Sequence, residues 1–235
     1  MSGSMSGSKS LYAIADLHLH FGVDKPMSIF QGWENHAERL RENWNKTVGE
    51  QDAVVVAGDI SWGASLEAAL PDFAFIDALN GKKIILKGNH DYWWTSLTKM
   101  NTFLLINDMN SISLLHNNAF SAGGVSICGT RGWFNEPDQA HNEKLQKREE
   151  MRLEASVKQA IELGGEICAF LHYPPIYGDF ENYALIDVLQ RYGVKRCFYG
   201  HLHGAAHKNA LLGVRYGIEF SLISADFVGF TPQKV

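Results

Sequence analysis

The 235-residue sequence has few cysteines, few prolines and no long hydrophobic run. Its three cysteines, Cys128, Cys168 and Cys197, form no CxxC pair, and each lies in or beside an apolar stretch typical of a strand. This pattern favours buried thiols in a reducing compartment over a disulfide framework. The longest apolar stretches, such as residues 53–57 and 167–171, are far shorter than the roughly 20 residues of a membrane-spanning helix. The sequence therefore predicts neither a disulfide-rich secreted protein nor a membrane protein.

An excess of one charge is also lacking. Twenty-one Lys and Arg residues stand against 26 Asp and Glu, the formal net charge is −5, and the basic residues are scattered. Without a basic stripe there is no clear surface for a nucleic-acid backbone or an anionic membrane. We therefore expect neither of these partners, and the oligomeric state stays open. The sequence is instead rich in histidine, with ten residues, several of them beside Asp, Asn or Gly.

The first ten residues, MSGSMSGSKS, form a Gly/Ser repeat. Such a composition is typical of a disordered, flexible leader or a cloning remnant, and it lacks the apolar centre of a secretory signal peptide. We therefore expect a cytoplasmic protein whose residues 11–235 form a single domain, with no internal repeat and no dividing linker.

From residue 11 onward, short apolar runs alternate with amphipathic stretches, which predicts an α/β fold. We expect Pro71 to kink its helix or to open the second half of it. The pattern predicts strands at 11–15, 53–57, 83–87, 167–171 and 196–199, helices at 33–48, 66–79, 94–106, 141–163 and 183–192, hairpins over 112–128 and a closing β-meander over 214–223.

Five of the predicted strands are followed at once by side chains that can bind metals. In an open α/β sheet, ligands bind outside the carboxyl ends of the strands, so these side chains are expected to converge. Asp16 and His18 are two residues apart, as are His201 and His203, so on extended backbone each pair points to one side. The candidate ligands are Asp16, His18, Asp59, Asn89, His172, His201 and His203.

The chemistry of this set indicates the kind of metal. Oxygen and nitrogen ligands without a thiolate suit Mn²⁺, Fe, Zn²⁺ or Co²⁺ better than Ca²⁺, and we favour Mn²⁺. Seven groups are too many for one such ion. Two divalent transition metal ions that share a bridging carboxylate would use them all, and ions ~3.5–4 Å apart are a recurring device for displacement at phosphorus. Gly58, Gly88 and Gly200 each precede a proposed ligand, where a missing Cβ lets the chain turn close to an ion.

The ordered series DxH, GD, GNHD, a later His after a strand, and GHxH resembles the calcineurin-like metallophosphoesterase superfamily, from Asp16 to His203. Small bacterial members known as predicted phosphohydrolases are the most similar. The resemblance implies a four-layer α/β/β/α sandwich of two mixed sheets with a dinuclear site at one sheet edge. It implies that Asp16, His18 and His203 hold one metal, that Asn89, His172 and His201 hold the other, and that Asp59 bridges both. It also implies that His90 is the acid or electrostatic partner of the leaving group and that Asp91 orients His90.

The function predicted from these residues is a dinuclear metal-dependent phosphohydrolase. It would cleave a small-molecule phosphomonoester or phosphodiester by in-line attack of a metal-bridging hydroxide. Two alternatives are a non-catalytic metal-binding scaffold of the same fold and a nuclease of the same superfamily. A scaffold has no need for His90 beside the metals, and a nuclease usually needs DNA-engaging segments that a sequence without a basic stripe gives little sign of. The identity of the substrate is left open.

Four residues outside the motifs have two interpretations each. Arg131 follows a predicted strand and is a candidate to bind a substrate phosphate, with a surface ion pair as the alternative. His20 continues the alternation of Asp16 and His18 and is a second candidate for the substrate site, with an ordinary loop histidine as the alternative. Trp93 and Trp94 could wall the site, but we expect them to pack in the core.

Overall fold

A computed structural model describes residues 3–4, 9–133 and 142–235. Its strands are β1 (Gly3–Ser4), β2 (Leu11–Ile14), β3 (Ala53–Ala57), β4 (Lys82–Leu86), β5 (Ile112–Leu114), β6 (Phe120–Ala122), β7 (Val125–Thr130), β8 (Glu166–Leu171), β9 (Ile176–Tyr177), β10 (Phe180–Glu181), β11 (Arg196–Tyr199), β12 (Gly213–Arg215), β13 (Ile218–Leu222) and β14 (Gln233–Lys234). Its α-helices are α1 (His36–Thr47), α2 (Leu66–Asp77), α3 (Leu97–Ile106), α4 (Asn142–Leu163) and α5 (Tyr183–Arg191), and short 3₁₀ turns lie at Met27–Ile29 and Gly204–Asn209.

The strands form two large mixed sheets. The first sheet has the order β14–β2–β3–β4–β5, in which only the edge strand β14 is antiparallel to its neighbour. The second has the order β1–β6–β7–β8–β11–β13–β12, with parallel pairing from β7 through β13. A small antiparallel pair, β9 with β10, stands apart from both.

The two sheets face each other through a common apolar layer. Ala13 and Val55 of the first sheet belong to one buried cluster with Ile127 and Phe170 of the second. All five residues of β3 are buried, because this strand is covered on both faces. Double burial explains why such strands are continuous apolar runs instead of alternating patterns.

Helices cover the outer face of each sheet. Val54 and Val56 of β3 pack in one cluster with Leu40 of α1 and Phe73 of α2. On the second sheet, Leu171 shares a cluster with residues of α4 and α5, among them Val157 and Leu189. The order is therefore helices, sheet, sheet, helices, which confirms the predicted four-layer α/β/β/α sandwich.

Side-chain caps decide where the helices begin. Ser65 caps α2 by accepting a hydrogen bond from the Ala68 amide, and Ser96 caps α3 in the same way. The cap at Ser96 explains why α3 begins at Leu97, three residues later than the sequence pattern predicted. Pro71 lies inside α2, which continues through it.

Two predicted β-regions pair differently from the expectation. In the stretch predicted as hairpins, β5 lies parallel to β4 in the first sheet, and only β6 and β7 form a hairpin, around the left-handed Gly123 and Gly124. The expected closing meander is confirmed only in part: β12 and β13 form an antiparallel hairpin, but β13 also lies parallel to β11 and β14 crosses to the first sheet. An apolar alternation identifies a strand, but it carries no information about which neighbour the strand will pair with.

The predicted flexible leader, residues 1–10, lies largely outside the described residues; within it, Gly3–Ser4 pairs in parallel with Phe120 and Ser121. Cys128, Cys168 and Cys197 are buried free thiols, as predicted, and the cytoplasmic location stays a prediction. Among the described residues, none of the helices has the length and apolar character needed to cross a membrane.

Candidate metal centre

The predicted ligands lie in the loops that leave five parallel strands. Backbone hydrogen bonds join these loops to one another: the Asp16 amide donates to the Gly58 carbonyl at 2.9 Å, and the Gly200 amide donates to the His172 carbonyl at 3.1 Å. The two sheets thus bring their loops together at one edge, as expected for parallel strands. The strands and their following ligands are β2 with Asp16 and His18, β3 with Asp59, β4 with Asn89, β8 with His172, and β11 with His201 and His203.

The backbone of these loops is coiled and not extended. The φ angle is +61° at Asp16, +45° at His18, +51° at Asp59 and +72° at His201. A left-handed conformation costs a non-glycine residue about 1–2 kcal/mol. Asp16 and His18 were predicted to point to one side because of an extended backbone, and this reason is therefore wrong. The same reason is wrong for His201 and His203. Strand β2 ends at Ile14, and left-handed turns bring these side chains together.

Asp16, His18 and His203 form the first ligand group. One ligand atom from each lies within 4.8 Å of the others. The Nε2 atoms of His18 and His203 face each other at 3.3 Å, and an oxygen of Asp16 lies 3.7 Å from Nε2 of His203. Three nitrogen and oxygen donors therefore point at one small space.

Asp59, His172 and His201 form the second ligand group, again with ligand atoms within 4.8 Å of one another. Asn89 belongs to the same group by contact. Its Oδ1 lies 2.5 Å from Nε2 of His172 and 2.9 Å from Nδ1 of His201. The amide oxygen of Asn89 thus faces the same space as the two imidazoles.

The carboxylate of Asp59 lies between the two groups. Its Oδ2 is 3.6 Å from Nε2 of His172 in the second group and 3.7 Å from Nε2 of His18 in the first. The other oxygen accepts a hydrogen bond from the His90 amide at 2.8 Å. One carboxylate oxygen is therefore within reach of both groups.

Glycines allow the carboxylates this close approach. A Cβ atom at Gly88 would lie 2.1 Å from an oxygen of Asp59, and one at Gly200 would lie 2.5 Å from an oxygen of Asp16. Both distances are far below van der Waals contact, so any larger residue would displace the carboxylate.

Three of the four imidazoles have lowered pKa values and are therefore in the neutral form that binds a metal. Burial and the neighbouring Asp16 raise the pKa of Asp59 to about 8. Burial lowers the pKa of His18 and His172, and it lowers that of His201 to about 3. Neutral imidazoles can bind a metal, and a cation would favour the ionised form of Asp59. Together with the lack of sulfur ligands, this protonation pattern suits divalent transition ions.

His203 differs from the other three imidazoles. Burial acts to lower its pKa, but Asp16 and Asp226 outweigh burial and raise the pKa to about 10. Nδ1 of His203 lies 2.9 Å from Asp226, which also accepts from the Gly204 amide. A carboxylate on the far nitrogen of a metal-binding histidine fixes the orientation of the ring. The sequence interpretation missed Asp226, although it too follows a strand, β13, by a few residues.

The carboxylate of Asp91 contacts backbone, and not the imidazole of His90. It accepts hydrogen bonds from the amides of Gly88 at 2.7 Å, Asp59 at 3.0 Å and Ile60 at 2.8 Å, and from the indole of Trp93 at 3.0 Å. The predicted contact by which Asp91 would orient His90 is therefore absent. Asp91 instead fixes the loop that carries Asp59 against the loop that carries Asn89.

His90 lies beside the first ligand group. Its ring centre is 5.8 Å from that of His18 and 4.5 Å from that of Trp62. Its Nδ1 is buried and has no hydrogen-bond partner in the described part of the chain. Burial, followed by the nearby His172, lowers the pKa of His90 to about 4, so the ring is neutral near pH 7.

A groove of about 850 Å³ opens at the first ligand group. His18, His90 and His203 lie at its base, and apolar side chains form much of its wall. These apolar residues include Met27, Phe30, Trp33, Trp62 and Phe230.

The predicted substrate residues lie elsewhere. His20 stacks on His36, with ring centres 5.7 Å apart, and lines a different cavity. Arg131 also lines a separate cavity, so neither side chain reaches the wall of this groove. Trp93 is buried with its ring edge on Phe73, as expected for core packing, and it donates to Asp91.

Comparison with known proteins agrees with this geometry. The model of the calcineurin-like phosphoesterase family matches residues 9–205, which is most of the chain. The chain belongs to this family. It is accordingly a member of the metallophosphoesterase family.

Among curated proteins, the Gene 66 protein of Mycobacterium phage L5 is similar to this metallophosphoesterase, with 32% identity over 78 residues. That match covers 33% of this chain and 37% of the phage protein, so it spans only about a third of either. It adds no information about the substrate.

Several solved structures share the fold. A phosphopantetheinyl hydrolase from Mycobacterium tuberculosis has a TM-score of 0.57 at 14% identity, covering 97% of this chain and 96% of its own. A protein of unknown function from Aquifex aeolicus has a TM-score of 0.51, also at 14% identity, covering 96% and 95%. A Thermus thermophilus protein has a TM-score of 0.54 at 13% identity, covering 83% of each chain. At such identities these similarities concern the fold alone.

Proposed function

We propose that this metallophosphoesterase is a dinuclear metal-dependent phosphohydrolase that cleaves a phosphomonoester or phosphodiester of a small molecule. The observation that carries the proposal is the position of Asp59, whose Oδ2 lies within 3.7 Å of an imidazole nitrogen of each ligand group. A carboxylate so placed can offset the repulsion between two cations. We assign Asp16, His18 and His203 to one ion, Asn89, His172 and His201 to the other, and Asp59 to both.

Two such ions would supply an activated water for in-line attack and neutralise charge on the phosphoryl oxygens. The residues of the chain position these groups. Asp91 fixes the two loops that carry Asp59 and Asn89, and Asp226 orients His203. The left-handed turns at Asp16, His18 and Asp59 position these ligand atoms.

We assign His90 to the leaving group. Its ring adjoins the ligands, yet its Nδ1 has no partner among the residues that the structure describes, and the ring is not needed to hold an ion. The lowered pKa of the ring favours donation of a hydrogen bond to the departing oxygen over transfer of a proton from an imidazolium. Binding of an anionic phosphoester would raise this pKa and extend the role toward proton transfer.

The groove supports a substrate with an apolar or aromatic part. Trp62 stacks on His18 with ring centres 5.0 Å apart and an interplanar angle of 23°, so its face continues from the ligand group into the groove. Phe30 stands at 51% exposure on the same groove. Flat aromatic groups gain about 0.5–1.5 kcal/mol from stacking beyond simple burial.

The proposal predicts that purified protein binds up to two transition ions per chain and that a chelator abolishes hydrolysis. Mn²⁺ should restore activity better than Ca²⁺, because the imidazole-rich sites do not suit Ca²⁺. Elemental analysis and rates on mono- and bis-(4-nitrophenyl) phosphate test this directly. A protein that binds only one ion would contradict the dinuclear assignment. Hydrolysis of both esters as fast after chelation as before it would also contradict it.

The groove is tested with a matched pair of exposed apolar residues. Phe30→Ala should raise KM for aryl phosphates severalfold and leave alkyl phosphates unchanged. Ile29→Ala is the control, because Ile29 is 74% exposed and does not line the groove. Equal effects of the two substitutions would show that the groove does not select the leaving group.

A further inference from the structure

A second cavity has a volume of about 240 Å³. The end of β4 contributes Lys87, the end of β7 contributes Arg131, and α4 contributes Arg148 and Arg152. The cavity shares no lining residue with the groove that contains His18, His90 and His203. It is therefore a separate site.

The charges around this basic cavity are not balanced. Within the described part of the chain, Glu149 is the one carboxylate ion-paired to its lining, through Arg152 at 2.6 Å. The second oxygen of Glu149 is occupied by the hydroxyl of Thr130 at 2.5 Å. For the described residues, no carboxylate lies within 4 Å of Lys87, Arg131 or Arg148. Within the described residues, these three cations therefore have no ion-pair partner.

Arg131 is held in place with unused hydrogen-bonding capacity. Its backbone carbonyl accepts from the amides of His172 and Tyr173, at 3.2 and 2.9 Å, and its guanidinium lies 5.3 Å from the ring centre of Trp133. Its Nε is nevertheless buried, with no hydrogen-bond partner among the described residues. A buried donor without a partner costs about 1–3 kcal/mol, so a ligand that accepts from it is favoured.

The pKa of a neighbouring group agrees with a positive potential in the cavity. Burial, followed by the charge of Arg152, lowers the pKa of His116, which lines the cavity. An anion bound beside His116 would act against this shift and raise its pKa.

We propose that this basic cavity binds a tetrahedral oxyanion of the phosphate class, at a site distinct from the metal centre. Three unpaired cations call for an anion with more than one charge, and guanidinium groups match the oxygens of phosphate in pairs. The volume of about 240 Å³ leaves ample room for one phosphate group. The anion is either free phosphate or a phosphate group carried by a larger molecule, and the chemistry of recognition is the same for both.

The experiment measures binding and not turnover, so its outcome is independent of the proposed hydrolysis. Metal-loaded protein is dialysed to equilibrium against radiolabelled inorganic phosphate at constant ionic strength, and metal content is measured on the same samples. Wild type should bind one phosphate per chain more than Arg148→Ala, or bind that phosphate at least about tenfold more tightly. Arg148 is exposed, so its removal should leave the melting temperature unchanged.

Two further variants make the result specific. Lys144→Ala is the matched control, because Lys144 is an exposed cation of α4 that does not line the cavity, and it should bind phosphate like wild type. Arg131→Lys keeps the charge but loses the guanidinium and should bind more weakly than wild type. The ring resonances of His116 should shift with phosphate in wild type and not in Arg148→Ala. Equal phosphate binding in all four proteins, or an unresponsive His116, would overturn the proposal.

A second arm distinguishes the sources of the anion. Methylphosphonate is compared with alkylene bisphosphonates of increasing length, whose C–P bonds a phosphoesterase does not cleave. If the cavity takes the distal phosphate of a bound molecule, one length should bind far more tightly than methylphosphonate, and Arg148→Ala should remove that gain. If it takes free phosphate, all lengths should bind about as methylphosphonate does.

Discussion

The two ligand groups of the metal centre are held in different ways. In the second group, His172 is fully buried, and its Nδ1 lies 3.1 Å from the backbone carbonyl of Ala57. In the first group, the side chain of His203 is 31% exposed, lines the groove and is oriented by the carboxylate of Asp226. One group is thus fixed by the main chain of a central strand, and the other by a side chain in a loop near solvent.

This difference suggests different roles for the two metal positions. A backbone carbonyl in β3 cannot be removed by substitution, so the second position should retain its ion through most changes nearby. The first position lies against the groove and His90, where the leaving group is expected. We therefore expect the ion at the first position to exchange faster and to respond more strongly to mutation.

The largest effect should come from Asp59→Asn, which removes the charge within reach of both groups. We expect both positions to lose affinity, each by more than the roughly 10–100-fold that follows loss of an outer partner, and hydrolysis to be abolished. His203→Ala should instead empty mainly the first position. Elemental analysis and metal titration of the two variants provide the test.

Asp72→Asn is the control for loss of a buried carboxylate, since Asp72 bonds Ser61 and the Phe21 amide and does not contact the ligands. Loss of only one ion from Asp59→Asn would refute the bridging assignment and leave the two groups independent.

His90→Ala tests whether catalysis depends on a residue that lines the groove. The variant should keep both ions and a near-normal melting temperature, yet lose turnover by about 10²–10⁴-fold. The loss should be smaller for nitrophenyl esters than for alkyl esters, because an alkoxide is the more basic leaving group. Rates on matched esters, with metal content, measure this.

Tyr92→Ala serves as the neighbouring control, because Tyr92 is 62% exposed. If His90→Ala loses metal, or is impaired equally on both kinds of ester, then His90 is a ligand or a structural residue.

A more moderate effect is expected from Asp226→Asn, which weakens the outer partner of His203. Metal affinity at the first position should fall by about 10–100-fold, while the second position should be unchanged. Two-step metal titration resolves the two positions. Equal weakening of both would contradict the difference between the groups.

The smallest effect concerns stability in the absence of metal. The pKa of Asp59 is raised to about 8, above its value of about 3.9 in the unfolded chain. The folded state therefore binds a proton more tightly, and ionisation of Asp59 destabilises it progressively as the pH rises from about 4 to about 8. Chelated Asp59→Asn should accordingly melt higher than chelated wild type by roughly 5 °C or more near pH 8.5 and no higher near pH 4.

Calorimetry at the two pH values decides this prediction. A melting difference that does not change with pH would mean that Asp59 is ionised in the metal-free protein, and that the groups are less strongly coupled than the geometry indicates.

Much of the site can be predicted by applying general structural rules to the sequence. Parallel strands end at one edge of a sheet, so the positions of Asp59, Asn89 and His172 directly after apolar runs were enough to predict their convergence. The close approach at Gly88 and Gly200 was also predictable, because a missing side chain is visible in the sequence. The fold class followed from the same alternation of strands and helices.

What the sequence did not reveal depends on long-range pairing. Asp91 adjoins His90 in the chain, but its partners are the amides of a loop some thirty residues away. Asp226 reaches His203 because β13 pairs with β11, a neighbour that no local pattern specifies. Arg131 faces a cavity whose other wall is α4, and so its position depends on how that helix packs.

The left-handed turns at Asp16, His18 and Asp59 have a consequence for the speed of metal uptake. Their strain is offset by backbone hydrogen bonds between loops, such as the His18 amide to the Asp59 carbonyl at 3.0 Å. After chelation, the ligand atoms of the two groups should therefore keep their arrangement. Rebinding would then be limited by how fast an ion sheds its water, and its rate should follow the hydration kinetics of the metal offered, with no slow refolding phase.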